Sequence, residues 1–282
     1  MSVTFARWKR LLALALGAAA ALAGLQHYTS VFAFPAPIAA GQTLFAVDFA
    51  HGEAGLKFSG DGEHVPGCGA ADGASGCRLR IHWAEAAPAY RAELVPVAVT
   101  GFYHGCYPQL GPTYEYSFRL FLPADWTVDD DTESVAQWHG APDRLLLEGD
   151  LNPAMALNIL GARYELDIRS DSRLVTSMKG GYESAQAIDL GDLRGDLGRW
   201  VDWRFRVQWS CRATDPGRVQ VFRDGICLLD RAGPNCFRDL RGGPYWKVGL
   251  YKWSWVTKPH ATPSVREREL RVDGLRIGVP TR

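Results

Sequence analysis

The stretch VDWRFRVQW at 201–209 decides the fold. Val201, Trp203, Phe205, Val207 and Trp209 fall on one side of an extended chain. Asp202, Arg204, Arg206 and Gln208 fall on the other. Side chains alternate across a strand with a period of two, so this pattern gives one oily face and one wet face. An antiparallel sheet packed on one side has that character. Similar runs recur at 43–49, 78–83, 90–95, 114–122, 134–140, 154–160, 163–168, 173–178, 218–224, 245–253 and 268–278, punctuated by Gly, Pro, Asn and Asp. RVQVFRDGICLLD at 218–230 reads as a hairpin turning at Asp224-Gly225. No long stretch carries a helical period, and no repeat marks a solenoid or propeller. The expected fold is all-β, a β-jelly-roll sandwich of two antiparallel sheets with one concave face.

The chain has 282 residues, with 31 basic and 31 acidic side chains. That balance gives no electrostatic footprint for nucleic acid or a membrane surface. An acidic ligand would have to be met by a local group of cations. Ten tryptophans are many for this length. Most are expected in the core, and indoles also form platforms for sugar rings. ARWKR at 6–10 followed by LLALALGAAAALAGL at 11–25 reads as a signal peptide over 1–33, with VFA at 31–33 as its cleavage site. The apolar run is shorter than the ~20 residues of a spanning helix, and retention as an anchor is the alternative. FPAPIAAG at 34–41 reads as a linker and 42–282 as one domain. A secreted or periplasmic monomer is expected, without stable membrane association once the signal is removed.

Export makes disulfides sensible for Cys68, Cys77, Cys106, Cys211, Cys227 and Cys236. Proximity favours Cys68–Cys77 and Cys227–Cys236, leaving Cys106 and Cys211. No zinc-type spacing is present, so no metal is expected on the thiols. The acidic run DWTVDDDTES at 125–134 reads as a solvated loop. A structural calcium is the alternative there, because carboxylates suit a hard cation.

Three strand segments place polar groups two residues apart, hence on one face. RAEL carries Arg91 and Glu93, and Glu93 can hold the guanidinium. SVAQWHG carries Gln137 and His139. YWKVGLYKW carries Tyr245, Lys247, Gly249 and Tyr251, and Gly249 leaves room for close approach to the strand. Singly, each segment reads as an ordinary sheet face. Together they suit β-elimination at a uronic acid. Arg91 and Gln137 can neutralise the C6 carboxylate and so make the C5 proton removable. His139 or Tyr251 can take that proton, Tyr251 can protonate the departing O4, and Lys247 can tune it or bind substrate. The scheme requires no cofactor.

RAEL, QWH and YWKVGLY resemble the strand motifs of β-jelly-roll polysaccharide lyases, which include alginate lyases, glucuronan lyases and heparin lyase I. The context LFLPADWTVDDDTESVAQWHGAPD is most similar to the heparin lyase I-like group. The resemblance implies His139 and Tyr251 as the catalytic pair, with Arg91, Gln137 and Lys247 on the substrate; Tyr245, on the same strand face, is a further substrate-binding candidate. The alginate pattern ends in Tyr-x-Gln, whereas Tyr251-Lys252-Trp253 stands here, which lowers alginate as the substrate. Neutral overall charge favours a glucuronan-like or mixed uronate polymer over a densely sulfated one. Arg163, Arg169, Lys179 and Lys252 read as surface charges, with added subsites as the alternative. Two rival functions remain. One is a carbohydrate-binding lectin-like module. The other is a laminarinase-like hydrolase, suggested by YELDIRS at 164–170, though Ser170 stands where its second carboxylate should be.

Overall fold

The alternating stretch forms β11 (Trp200–Gln208), with Val201, Trp203, Phe205 and Val207 buried. The computed structural model describes residues 39–67, 76–84, 89–97, 108–215, 217–240, 242–258 and 263–281. The expected signal peptide, its cleavage site, most of the linker, Cys68 and Cys106 lie outside the described residues.

Two antiparallel sheets hold the described strands. The first has the order β13 (Ile226–Ala232), β12 (Arg218–Arg223), β11, β6 (Thr113–Phe121), β15 (Glu267–Gly278), β4 (Cys77–His82) and β3 (Glu63–Val65), and β1 (Thr43–Val47) also pairs with β15. The second has the order β10 (Ser184–Asp192), β9 (Arg163–Ser170), β8 (Met155–Gly161), β7 (Asp129–His139), β14 (Tyr245–Tyr251), β5 (Arg91–Pro96) and β2 (Leu56–Gly60). A short helix, α1 (Trp253–Thr257), follows β14. This is the expected jelly-roll architecture.

Aromatic rings fill the space between the sheets. Trp138 of β7 lies 4.8 Å from Phe205 of β11 and 5.6 Å from Tyr116 of β6, ring centre to ring centre. Trp246 of β14 lies 5.6 Å from the same Tyr116. With Trp138 and Trp246 directed inward, their neighbours Gln137, His139, Tyr245 and Lys247 must face outward. The core thus orients the polar groups on the other side of the sheet.

Several expectations need correction. Residues 173–178 form no strand. The Thr176 amide donates to Glu148 at 2.6 Å and Arg173 Nε to Asp171 at 2.8 Å, so this segment is tied to side chains rather than to a ladder. β10 gave no sequence signal because it is an edge strand whose Ala185, Gln186 and Ala187 are exposed. The acidic run is not a solvated loop throughout. β7 begins within it, and Asp129 and Glu133 are buried. The pairing Cys227–Cys236 does not form. Cys227 is exposed at the start of β13, whereas Cys236 is buried beyond the end of that strand, with its amide 3.3 Å from the Ser210 carbonyl. The hairpin turns as expected at Asp224 (φ 50°) and Gly225 (φ 80°), the doubly left-handed geometry that suits a two-residue turn.

Candidate active site

Strands β7, β14 and β5 lie side by side, and their register assembles the three motifs. Across β7 and β14, His139 stands opposite Tyr245 and Gln137 opposite Lys247. Across β14 and β5, Gly249 stands opposite Glu93 and Tyr251 opposite Arg91. All six predicted site residues therefore share the outer face of three adjacent strands.

Glu93 is the hub of this face. It is only 1% exposed. Gln137 Nε2 donates to its Oε1 at 2.6 Å. Arg91 Nε and Lys247 Nζ make ion pairs with its Oε2 at 3.0 and 3.6 Å. One carboxylate thus orients a guanidinium, an ammonium and an amide. The cluster keeps one positive charge in excess, and each of the three donor groups retains N–H bonds not spent on Glu93. Burial pulls the Lys247 pKa below its ordinary value, with Glu93 opposing that shift.

The predicted catalytic groups flank the hub. The Arg91 guanidinium sits over the Tyr251 ring, 4.0 Å from its centre, and the His139 and Tyr245 ring centres are 5.7 Å apart. His139 Nδ1 lies 2.9 Å from the Gly140 carbonyl. A carbonyl can only accept, so Nδ1 carries the proton and Nε2 keeps its lone pair. Burial, reinforced by the charges of Lys247 and Arg91, pulls the His139 pKa down to about 4. The imidazole is therefore neutral at physiological pH and fit to accept a proton.

Local backbone structure holds Arg91 in place. The amides of Ala89, Tyr90 and Arg91 all donate to the Asp61 carboxylate, at 3.1, 3.3 and 3.0 Å. Tyr90 is left-handed, with φ 47°. That geometry is costly for an aromatic residue, and the Asp61 contacts offset the cost. Asp61 gave no signal in the sequence because it lies 30 positions away.

Gly249 admits the close approach expected of it, and what approaches is the neighbouring strand. Its φ is +142°, and a Cβ there would lie 2.2 Å from the Ala92 carbonyl oxygen. The missing side chain makes room for the backbone of β5, not for a ligand. Of the peripheral cations, Arg163 and Lys179 are exposed as expected, and Lys252 departs from expectation. Lys252 is wholly buried rather than on the surface. Arg163 Nε donates to Asp189 at 2.9 Å and Arg169 Nη2 to Asp167 at 2.7 Å, while Lys179 is exposed. In the hydrolase-like stretch, Asp167 also accepts from Asn158 Nδ2 at 3.0 Å, and Ser170 is buried. Elsewhere, donor atoms of Glu53, His64 and Cys77 lie within 4.8 Å of one another, a metal-compatible group that sequence spacing did not reveal.

The family model described as "Polysaccharide lyase" matches residues 48–276. The chain belongs to the polysaccharide lyase family. The lyase has the fold of an endo-β-1,4-glucuronan lyase from the fungus Trichoderma reesei, with a TM-score of 0.65 at 17% identity over 84% of this chain and 96% of that one. It also matches alginate lyase vAL-1 from Chlorella virus, with a TM-score of 0.52 at 10% identity over 84% of this chain and 100% of that one. No curated protein matches it by sequence. Family membership makes the chain an enzyme and sets aside the lectin and hydrolase readings.

Proposed function

We propose that the lyase cleaves a uronic-acid-containing polysaccharide by β-elimination. The observation that carries this reading is the Glu93 hub, which gathers Arg91, Gln137 and Lys247 between a neutral His139 and Tyr251. The spare donors of Arg91, Gln137 and Lys247 bind the C6 carboxylate and draw charge away from C5. His139 Nε2 takes the C5 proton. The electrons of that bond form the C4–C5 double bond, the C4–O4 bond breaks, and the Tyr251 hydroxyl gives its proton to O4. Tyr245, beside His139, lines the sugar's path. Every proton in this scheme is handled by a side chain, so no cofactor takes part.

One excess positive charge suits one carboxylate per subsite. Arg163 and Arg169, already paired with aspartates, add no free cation to the same sheet. A glucuronan-like or mixed uronate polymer fits this balance better than a densely sulfated one. With the N-terminal segment read as a secretion signal, the monomeric enzyme meets this polymer outside the cytoplasm.

The test is incubation with glucuronan, alginate and glycosaminoglycans while following the ultraviolet absorbance of the 4,5-unsaturated product. Rising absorbance on a uronate polymer is expected. Loss of a general acid or base costs about 10²–10⁴-fold in rate, so Tyr251→Phe and His139→Ala should each lose activity on that scale while staying folded. New reducing ends without absorbance, or full turnover by Tyr251→Phe, would sink the mechanism.

A further inference from the structure

Directly after Tyr251, the chain turns a lysine inward. Lys252 is 0% exposed. Its Nζ donates to the Asp131 carbonyl at 2.7 Å and makes ion pairs with Asp129 Oδ2 at 2.8 Å and Glu133 Oε2 at 3.5 Å. A second buried cation completes the group. Arg268 of β15, on the opposite sheet, reaches Glu133 with Nε at 2.7 Å and the Thr127 carbonyl with Nη1 at 2.7 Å, and its guanidinium lies 4.6 Å from the Trp126 ring centre. Two cations thus face two carboxylates inside the protein.

The Lys252 backbone is held as well. Its amide donates to the Tyr90 carbonyl at 3.1 Å, and its carbonyl accepts from the Trp255 amide at 3.1 Å. Tyr90 precedes Arg91, and its ring meets Trp255 edge-on, 5.3 Å between centres. The residues next to Tyr251 and Arg91 are therefore fastened to each other and, through the ammonium, to the start of β7.

We propose that Lys252 is a positioning residue for the reaction, its buried ammonium locking the strand end that presents the Tyr251 hydroxyl and the Arg91 guanidinium. This rests on the reading of Tyr251 as the acid. A buried lysine that loses its partners, or carboxylates that lose their lysine, force the local chain to rearrange. The phenol one residue away moves with it. Misplacing a reacting group by about 1 Å costs on the order of 100-fold in rate.

The experiment measures kcat and KM for Lys252→Met on the polymer cleaved by the wild type, at a temperature where circular dichroism shows the variant folded. The expected result is a kcat about 30–100-fold lower with KM within about threefold, because misplacement acts on the chemical step. Asp273→Asn is the control. It removes a buried carboxylate paired with Arg119 on the other sheet, so it should lower the melting temperature and leave kcat intact. If Lys252→Met does not fold, Asp129→Asn keeps the ammonium but weakens its hold, and kcat should fall about 5–10-fold at constant KM. A folded Lys252→Met with wild-type kcat, a loss confined to KM, or wild-type kcat in Asp129→Asn would each overturn the proposal. Tyr251→Phe is assayed alongside. Full turnover by Tyr251→Phe brings down the underlying mechanism, whereas an inactive Tyr251→Phe beside a normal Lys252→Met brings down this inference alone.

Discussion

Two charge clusters flank β14, one drawn from β14 and β5, the other from β7, β15 and the residue after β14, and they are built to opposite rules. The outer cluster sets one carboxylate, Glu93, against Arg91 and Lys247. Its charges do not balance, and it opens onto a half-exposed face through Arg91 and Tyr251. The inner cluster sets Asp129 and Glu133 against Lys252 and Arg268. Its charges balance, and each side chain in it is nearly or wholly hidden from water. A surplus charge is tolerable only where something from outside can answer it. A buried surplus would cost several kcal/mol, roughly the whole stability of many domains. Imbalance near solvent is thus the physical mark of a binding site, and balance in the interior the mark of a fastening.

The sharpest way to break this comparison is Arg268→Met. It leaves Lys252 facing two carboxylates in the interior, so unfolding should become easier by about 3–5 kcal/mol. Chemical denaturation measures this. A loss below about 1 kcal/mol would mean that the cluster is hydrated and behaves like a surface pair. A smaller effect on stability is expected at the hub. Glu93→Gln preserves shape but removes the charge that gathers the two cations, costing about 1–3 kcal/mol. The same change should lower kcat/KM by about 10–100-fold, because the carboxylate of the proposed uronate substrate then meets donors no longer held in place. Equal kcat/KM in the variant would show that Glu93 is a structural counter-ion and not an orienting group.

Much of this was legible in the sequence. Period-two alternation exposed β11 and the Asp224-Gly225 hairpin, and it put Arg91, Gln137, His139, Lys247 and Tyr251 on outward faces. Register was not legible. Only the pairing of Gly249 with Glu93 shows that Glu93 reaches both Lys247 and Gln137, and that β5, rather than a ligand, fills the space above the glycine. The inner cluster did leave a signal. Arg268 shares the period-two face of Leu270 and Val272, which are buried core residues of β15. A cation on an oily face requires a buried anion, and the acidic run was the nearest supply. Reading 125–134 as solvent-exposed hid that match, because a local charge count cannot see a partner more than a hundred residues away.

The pH dependence of turnover tests how far the outer cluster's charge reaches. With the proposed base at a histidine's ordinary value of 6.5, turnover would shut off below that pH, whereas His139 is held at about 4. The acidic limb of kcat/KM, which reports the free enzyme, should therefore fall near pH 4. Stability follows the same group. Between 6.5 and about 4 the unfolded chain takes up a proton that the folded imidazole refuses, so this contribution is complete above pH 6.5 and is lost as pH falls through the folded value. Burial is the largest cause of the shift, and the Lys247 charge comes second. Lys247→Met should accordingly move the acidic limb of its residual activity upward, but leave it short of 6.5. A wild-type limb at 6.5 would mean that water reaches the imidazole freely. An unmoved limb in the variant would mean that burial alone tunes it, leaving the surplus charge to act on the substrate's carboxylate and not on the base.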